Sequence, residues 1–217
     1  FYVFKLPFLS YLVNWLFASM IVITLLTVIA HYINGGIRLQ AVGRRVTPHV
    51  KLHLSVLLAI LALLKAADYW LQRYGLTTSS RGYVDGATYT DVNAQLPAIQ
   101  LLILISLLAA ALLLFNVRQR GWRLPVIAVG LWAAVAIVAG TAYPAMVQRF
   151  QVEPSESSRE SKYIVRNIEA TRVAFGLDKV VQKPISAQPV TADDVENAAA
   201  SFADVRLLDP DITALNF

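Results

Sequence analysis

The chain has 217 residues, of which 57% are hydrophobic and only 15% charged, and its formal net charge is +5. Soluble domains carry about a quarter charged residues, so this balance excludes a typical cytosolic globule. With no cysteine, disulfide frameworks, thiolate metal sites and cysteine nucleophiles are excluded as well.

The hydrophobic residues fall into four long runs. A helix rises about 1.5 Å per residue and the hydrocarbon layer is about 30 Å thick, so roughly 20 apolar residues cross it. The first run, about 7–33, carries no formal charge and one histidine, His31. It is too long, and lacks the basic leader, for a cleaved signal peptide. Gly35-Gly36 then reads as a helix stop. The second run, about 50–71, carries Lys65 and Asp68 toward its end. The third, about 97–117, is almost pure Leu, Ile and Ala. The fourth, about 124–147, presents Gly130, Ala133, Ala134, Ala136 and Gly140, a small-residue surface suited to close helix packing. Residues 1–147 are thus expected to be an all-α polytopic membrane bundle of four spans.

The charges in the loops set an orientation. Loop 34–49 carries Arg38, Arg44 and Arg45, and loop 118–123 carries Arg118, Arg120 and Arg123, neither with an acid. Loop 72–96 is mixed, with Arg73 and Arg81 against Asp85 and Asp91. Lys and Arg accumulate on the cytoplasmic side. The first and third loops are therefore expected in the cytoplasm, and loop 72–96 and the tail 148–217 outside. Tyr69, Trp70, Tyr74 and Tyr143 fit an outer aromatic belt, and Trp122 an inner one.

The composition changes at Gln148. Residues 148–217 hold 8 Lys/Arg against 11 Asp/Glu, whereas residues 1–147 hold 11 against 3. Ser157 and Glu160 have the spacing of a capping box, and Tyr163, Ile164, Ile168, Thr171 and Phe175 recur at helical spacing up to a stop at Gly176. Thr191-Ala192-Asp193-Asp194 opens a second short helix reaching about Ser201, and Val205–Leu208 is expected to be a strand. So few large apolar residues make a poor independent core. The tail is read as the start of a larger extracytoplasmic α+β domain, and the chain, from Phe1 to Phe217, as a piece of something longer.

Candidate chemistry is sparse. Lys65 and Asp68, three apart on one helix face, form a pair inside the span. Intramembrane charges often mark ion pathways, but a structural pair near the outer end, with Lys65 snorkelling, is the favoured reading. Arg81, Asp85 and Tyr89 of the outer loop suit either a polar ligand or docking of the external domain, and docking is favoured. Asp91 is expected to cap the third span. His31 and His53 flank the first loop without acidic partners, so an interfacial role is favoured over a proton relay. Neither a catalytic motif nor a dinucleotide or Walker pattern occurs, so no cofactor is expected and an enzyme is disfavoured. The basic residues flank apolar runs and do not form a phosphate-binding face, so nucleic acid is not expected as a partner.

Ordered motifs run the length of the chain. They include Phe1-Tyr2-Val3-Phe4-Lys5-Leu6-Pro7-Phe8, Leu64-Lys65-Ala66-Ala67-Asp68-Tyr69-Trp70-Leu71, Tyr89-Thr90-Asp91-Val92-Asn93-Ala94 and Val147-Gln148-Arg149-Phe150-Gln151-Val152-Glu153-Pro154. Tyr163 through Arg172 and Val205-Arg206-Leu207-Leu208-Asp209-Pro210 complete the series. Together they resemble uncharacterised protein family 0182, large multi-pass membrane proteins of actinobacteria. The resemblance implies further spans before this segment and a large extracytoplasmic domain after it. It implies no catalytic residue. The expected partners are membrane lipids, other transmembrane helices of the same full-length protein and an extracytoplasmic protein. The function expected is a non-enzymatic anchor or scaffold, with a transporter or channel component using Lys65 and Asp68 as the alternative.

Overall fold

The computed structural model describes residues 1–38, 46–81, 85–119, 121–181, 183 and 189–202. Two compact units divide the chain, Phe1–Phe175 and Gly176–Phe217. The first holds four helices long and apolar enough to cross a membrane. Helix α1 is Lys5–Ile33, α2 is Pro48–Gly75, α3 is Leu96–Gln119 and α4 is Arg123–Ile137. A helix lies over each of the four apolar runs, and three of the helices extend a little beyond them.

Local chemistry explains the ends. Gly35 takes φ +70°, the left-handed conformation that stops α1 without a Cβ clash. An added Cβ at Gly36 would lie 2.8 Å from Val50 Cγ2, so the α1–α2 turn needs glycine for its close approach as well. Extended Thr47 precedes Pro48 at the first turn of α2, where a missing N–H costs nothing.

The helices pack in sequence order, α2 against α1 and α3, and α3 against α4. One cluster buries Ala59, Ala109, Leu113 and Ala128; a second buries Tyr69, Ile99 and Leu102. Tyr69 therefore belongs to the core and not to an aromatic belt, whereas Trp70 and Tyr143 are exposed as expected. The small-residue surface of α4 is used in part. Gly140 lies against Leu102, but nothing approaches Gly130, and the closest packing of α4 is made by Ala128. Helix α1 buries no residue, leaving Phe8, Trp15, Leu25, Leu26 and Ile29 exposed. A helix apolar on all sides needs apolar surroundings, which a bilayer provides.

The fourth helix does not end at Val147. It continues as a helical segment from Arg123 to Ala174, through α5 (Tyr143–Val147) to α6 (Glu156–Ala174). Its 52 residues correspond to roughly 78 Å at 1.5 Å per residue, more than twice the thickness of the hydrocarbon layer. Prolines loosen it. A proline lacks the N–H that would bond four residues back, and its ring presses on that carbonyl. Each of Pro97, Pro144 and Pro154 follows a widened π-helical turn, at Asp91–Gln95, Val138–Ala142 and Gln148–Val152 respectively. After Pro154, Ser155 leaves helical geometry at φ −139° and ψ 39°, and α6 begins.

Glu160 does not fold back to cap α6, because it is drawn to another segment, so the capping box expected at Ser157 is not formed. The end of α6 is as expected, with Gly176 left-handed at φ +68°. In the second unit Thr191 and Asp194 do form a capping box at the start of α7, Ala192–Asn197, which is followed by α8, Ala199–Phe202. The Thr191 hydroxyl and backbone N–H hold the exposed Asp194 carboxyl below its usual pKa. Among the described residues there is no strand, and only Ile37 and Val46 form an isolated bridge. The strand expected at Val205–Leu208 lies outside the described residues, and the described part of the tail is helical.

Candidate functional site

At the end of the bundle where α2 leads into α3, the loop of residues 85–91 is organised by a buried carboxylate. Asp91 Oδ2 accepts from the Thr88 backbone N–H at 3.1 Å and from its hydroxyl at 2.9 Å. Asp91 N–H donates weakly to Thr88 Oγ1 at 3.4 Å. This is a capping box with Thr88 as the cap and Asp91 in the third helical position. The cap is thus Thr88, three residues earlier than expected, with Asp91 as its partner. Asp91 is fully buried, and its Oδ1 has no hydrogen-bond partner among the described residues. Arg81 Nε stands 3.6 Å from that oxygen and supplies the compensating charge.

Helix α6 is fastened to this loop by side chains far apart in sequence. Both carboxylate oxygens of Glu160 accept from the Tyr89 N–H at 3.0 Å. Tyr89 stands at the first turn of a helix, where N–H groups are unsatisfied and negative charge is favoured. Arg159 donates to the Tyr89 hydroxyl at 3.0 Å, and Asn167 donates to the Asp85 carbonyl at 2.8 Å. Asn93 donates to the Tyr163 hydroxyl at 3.2 Å, and Thr90 donates to Gln148 Oε1 at 2.5 Å. Between loop and helix lies a cavity of about 500 Å³, bordered by Arg81, Thr88, Val92, Gln148, Glu160 and Tyr163 among others.

Of the residues singled out from sequence, Arg81, Asp85, Tyr89 and Asp91 are therefore brought together, Asp85 through its backbone. Sequence read Glu160 only as a cap and did not assign Glu160, Asn167 or Gln148 to this loop, because nothing local ties residues 148–167 to residues 85–93. The one available signal was Glu160 itself, an acid on the face of α6 shared with Tyr163 and Ile164.

Lys65 and Asp68 form a separate site. Lys65 Nζ lies 2.6 Å from Asp68 Oδ2, which also accepts from Gln72 Nε2 at 3.0 Å. The ammonium stands 5.2 Å from the Phe17 ring and 5.0 Å from the Tyr69 ring, within cation–π range. It borders a largely apolar cavity of about 240 Å³ between α1 and α4, floored by α2 and α3.

At the opposite end, His31 Nε2 and His53 Nδ1 are 3.1 Å apart and join α1 to α2. Sequence placed these two residues at the loop but not in contact. Helix α3 also hides polar groups. Asn116 donates to Ser55 Oγ at 2.8 Å and to the Gly121 carbonyl at 3.0 Å, and accepts from the Gly121 N–H. Trp132 donates to Ser106 Oγ at 3.0 Å. The signal for Asn116 was an amide near the end of a mostly aliphatic run. Among the described residues no three potential metal ligands come together.

The family profile described as uncharacterised protein family UPF0182 matches residues 1–217, and the chain belongs to that family. It is 47% identical over 97% of its length to a UPF0182 protein of Frankia casuarinae. It is 44% identical over its whole length to one of Thermobifida fusca, and 38% to one of Streptomyces coelicolor. The chain spans about a fifth of the length of the curated relatives it matches, 21% of the Frankia casuarinae protein. No solved structure matches it.

Proposed function

We propose that this segment is the membrane anchor of an integral plasma-membrane protein that holds a large extracytoplasmic α+β domain toward partners in the cell envelope, with no catalysis of its own. In this orientation loops 34–49 and 118–123, basic and free of acids, face the cytoplasm. Loop 72–96 and residues 148–217 then lie outside. The observation that carries the proposal is the clamp of Glu160 and Asn167 on residues 85–89. It fixes the helix leaving the fourth span relative to the bundle. A scaffold needs that, because a domain on a freely swinging stalk presents no defined surface. The experiment is gentle-detergent purification of the full-length protein with quantitative mass spectrometry of what accompanies it. A stoichiometric envelope protein, lost when Glu160 and Asn167 are both changed to Ala, is the expected result. A protein that purifies alone with a bound solute refutes it.

A component of a transporter or channel is the second reading. It is favoured by one observation, the contact of Lys65 with the apolar cavity between α1 and α4. Flux lost in the Lys65→Met/Asp68→Leu protein, with partners retained, would establish it over the scaffold.

A further inference from the structure

The cavity between loop and α6 lies at the level where the apolar runs end. Gln148 follows directly on the fourth run, and Val92 stands one turn before the third. On either side of the hydrocarbon a bilayer keeps its headgroups in a layer roughly 5–8 Å deep, so the cavity opens where headgroup concentration is highest. At about 500 Å³ it is within the size range of small-molecule sites. Its lining is mainly apolar but includes two cations, Arg81 and Arg166, and two acids, Glu156 and Glu160. Balanced charge disfavours a polyanion and a simple cation alike. The charges are also unequally committed. Glu160 is used by Tyr89, and the Nε of Arg81 faces buried Asp91. Arg166 and Glu156 make no hydrogen bond or ion pair to any described residue, and only the oxygen of the Gln148 amide is engaged.

The geometry points to a binding site for a zwitterionic phosphoethanolamine group. Its phosphate is held by the Arg81 guanidinium with the Gln148 amide, and its ammonium by Glu156. A guanidinium matches phosphate oxygens with paired N–H donors, and the carboxylate supplies the acceptor that an ammonium needs. The apolar walls accommodate the glycerol end of a lipid.

The test is native mass spectrometry of the full-length protein, delipidated in detergent and titrated with phosphatidylethanolamine or phosphatidylglycerol. Phosphatidylethanolamine is expected to bind about tenfold more tightly, the size of effect that one charge-assisted contact gives. The variant Glu156→Gln touches a group that makes no hydrogen bond or ion pair to any described residue, so the fold is kept, and it is expected to abolish the preference. Soluble phosphoethanolamine then identifies the source. Displacement of the lipid marks a site for the free zwitterion, and failure to displace marks the membrane lipid. Equal binding of the two lipids by the unmodified protein, or a preference that survives Glu156→Gln, overturns the proposal.

Discussion

Replacing Glu160 by Ala tests whether the helix beyond the fourth span is held by its contacts. The side chain is buried, and both its oxygens accept the Tyr89 N–H at 3.0 Å. A hydrogen bond to a charged group contributes about 1.5–3 kcal/mol, and a carboxylate at a helix N-terminus adds about 0.3–1 kcal/mol. Water entering the truncated site recovers part of this, leaving a net loss of about 2 kcal/mol. Each 1.4 kcal/mol is about tenfold in an equilibrium, so the Tyr89 amide is expected to exchange hydrogen roughly 30-fold faster. Glu160→Gln keeps an acceptor but not the charge, so its effect is expected to be smaller, about fivefold. The assay is hydrogen–deuterium exchange of the full-length protein in nanodiscs, followed over residues 85–93 and 156–174. Tyr89 exchange within twofold of wild type in Glu160→Ala would refute the clamp. Equal acceleration in both variants would show that charge, not the hydrogen bond, is the agent.

Asn116→Ala removes three hydrogen bonds, one to Ser55 of α2 and two to Gly121 at the α3–α4 turn. It is expected to lower stability by about 1–2 kcal/mol, given that such bonds average about 0.6 kcal/mol in membranes, measured by thermal unfolding in detergent. At the Lys65–Asp68 pair, either single apolar substitution leaves a largely buried charge alone and is expected to cost about 2–3 kcal/mol. The double substitution is expected to cost less than either single one, and additive losses in a double-mutant cycle would show that the pair is not coupled. Asp194 titrates below its usual value of 3.8 because its charged form caps α7. A lowered pKa gives stability that is complete above the usual value and lost as pH falls through the depressed one. Exchange protection of residues 192–197 should therefore hold down to about pH 4 and be lost progressively below it, as pH falls through the depressed value. Asp194→Asn should flatten that dependence.

The spans were legible because nothing competes with a run of 20 apolar residues, and the stops at Gly35 and Gly176 because left-handed backbone selects glycine. Thr191-x-x-Asp194 was legible for the same local reason. The same chemistry at Thr88-x-x-Asp91 was read one role off, with Asp91 as the cap, because aspartate is common in both positions. Ser157-x-x-Glu160 has an equally good local pattern and fails, since the Tyr89 N–H offers Glu160 a partner 71 residues away. A periodic pattern likewise could not show that Tyr69 turns inward onto Ile99 and Leu102 while its neighbour Trp70 turns out. Local signals fix caps and stops. Which buried donor meets which acceptor is decided by the packing of the helices.

The prolines give that distinction a mechanical meaning. Pro144 and Pro154 each follow a π-helical turn, and both lie where the fourth helix leaves its apolar run. Such turns replace bonds of normal length with wider ones, and helices bend at them. Ser155 departs from helical backbone angles within the segment. Continuity of backbone therefore cannot hold α6 at a fixed angle, and the orientation must come from contacts beyond Ser155. Those contacts are Glu160, Arg159, Tyr163 and Asn167 on the loop of residues 85–93. The loop is itself anchored from below by buried Asp91 and Arg81. A hinge made stiff only by side-chain bonds is adjustable by whatever occupies the cavity between them. Ligand binding there would therefore set the angle of α6 against the bundle, and the effect of Glu160→Ala on exchange should shrink when the cavity is filled.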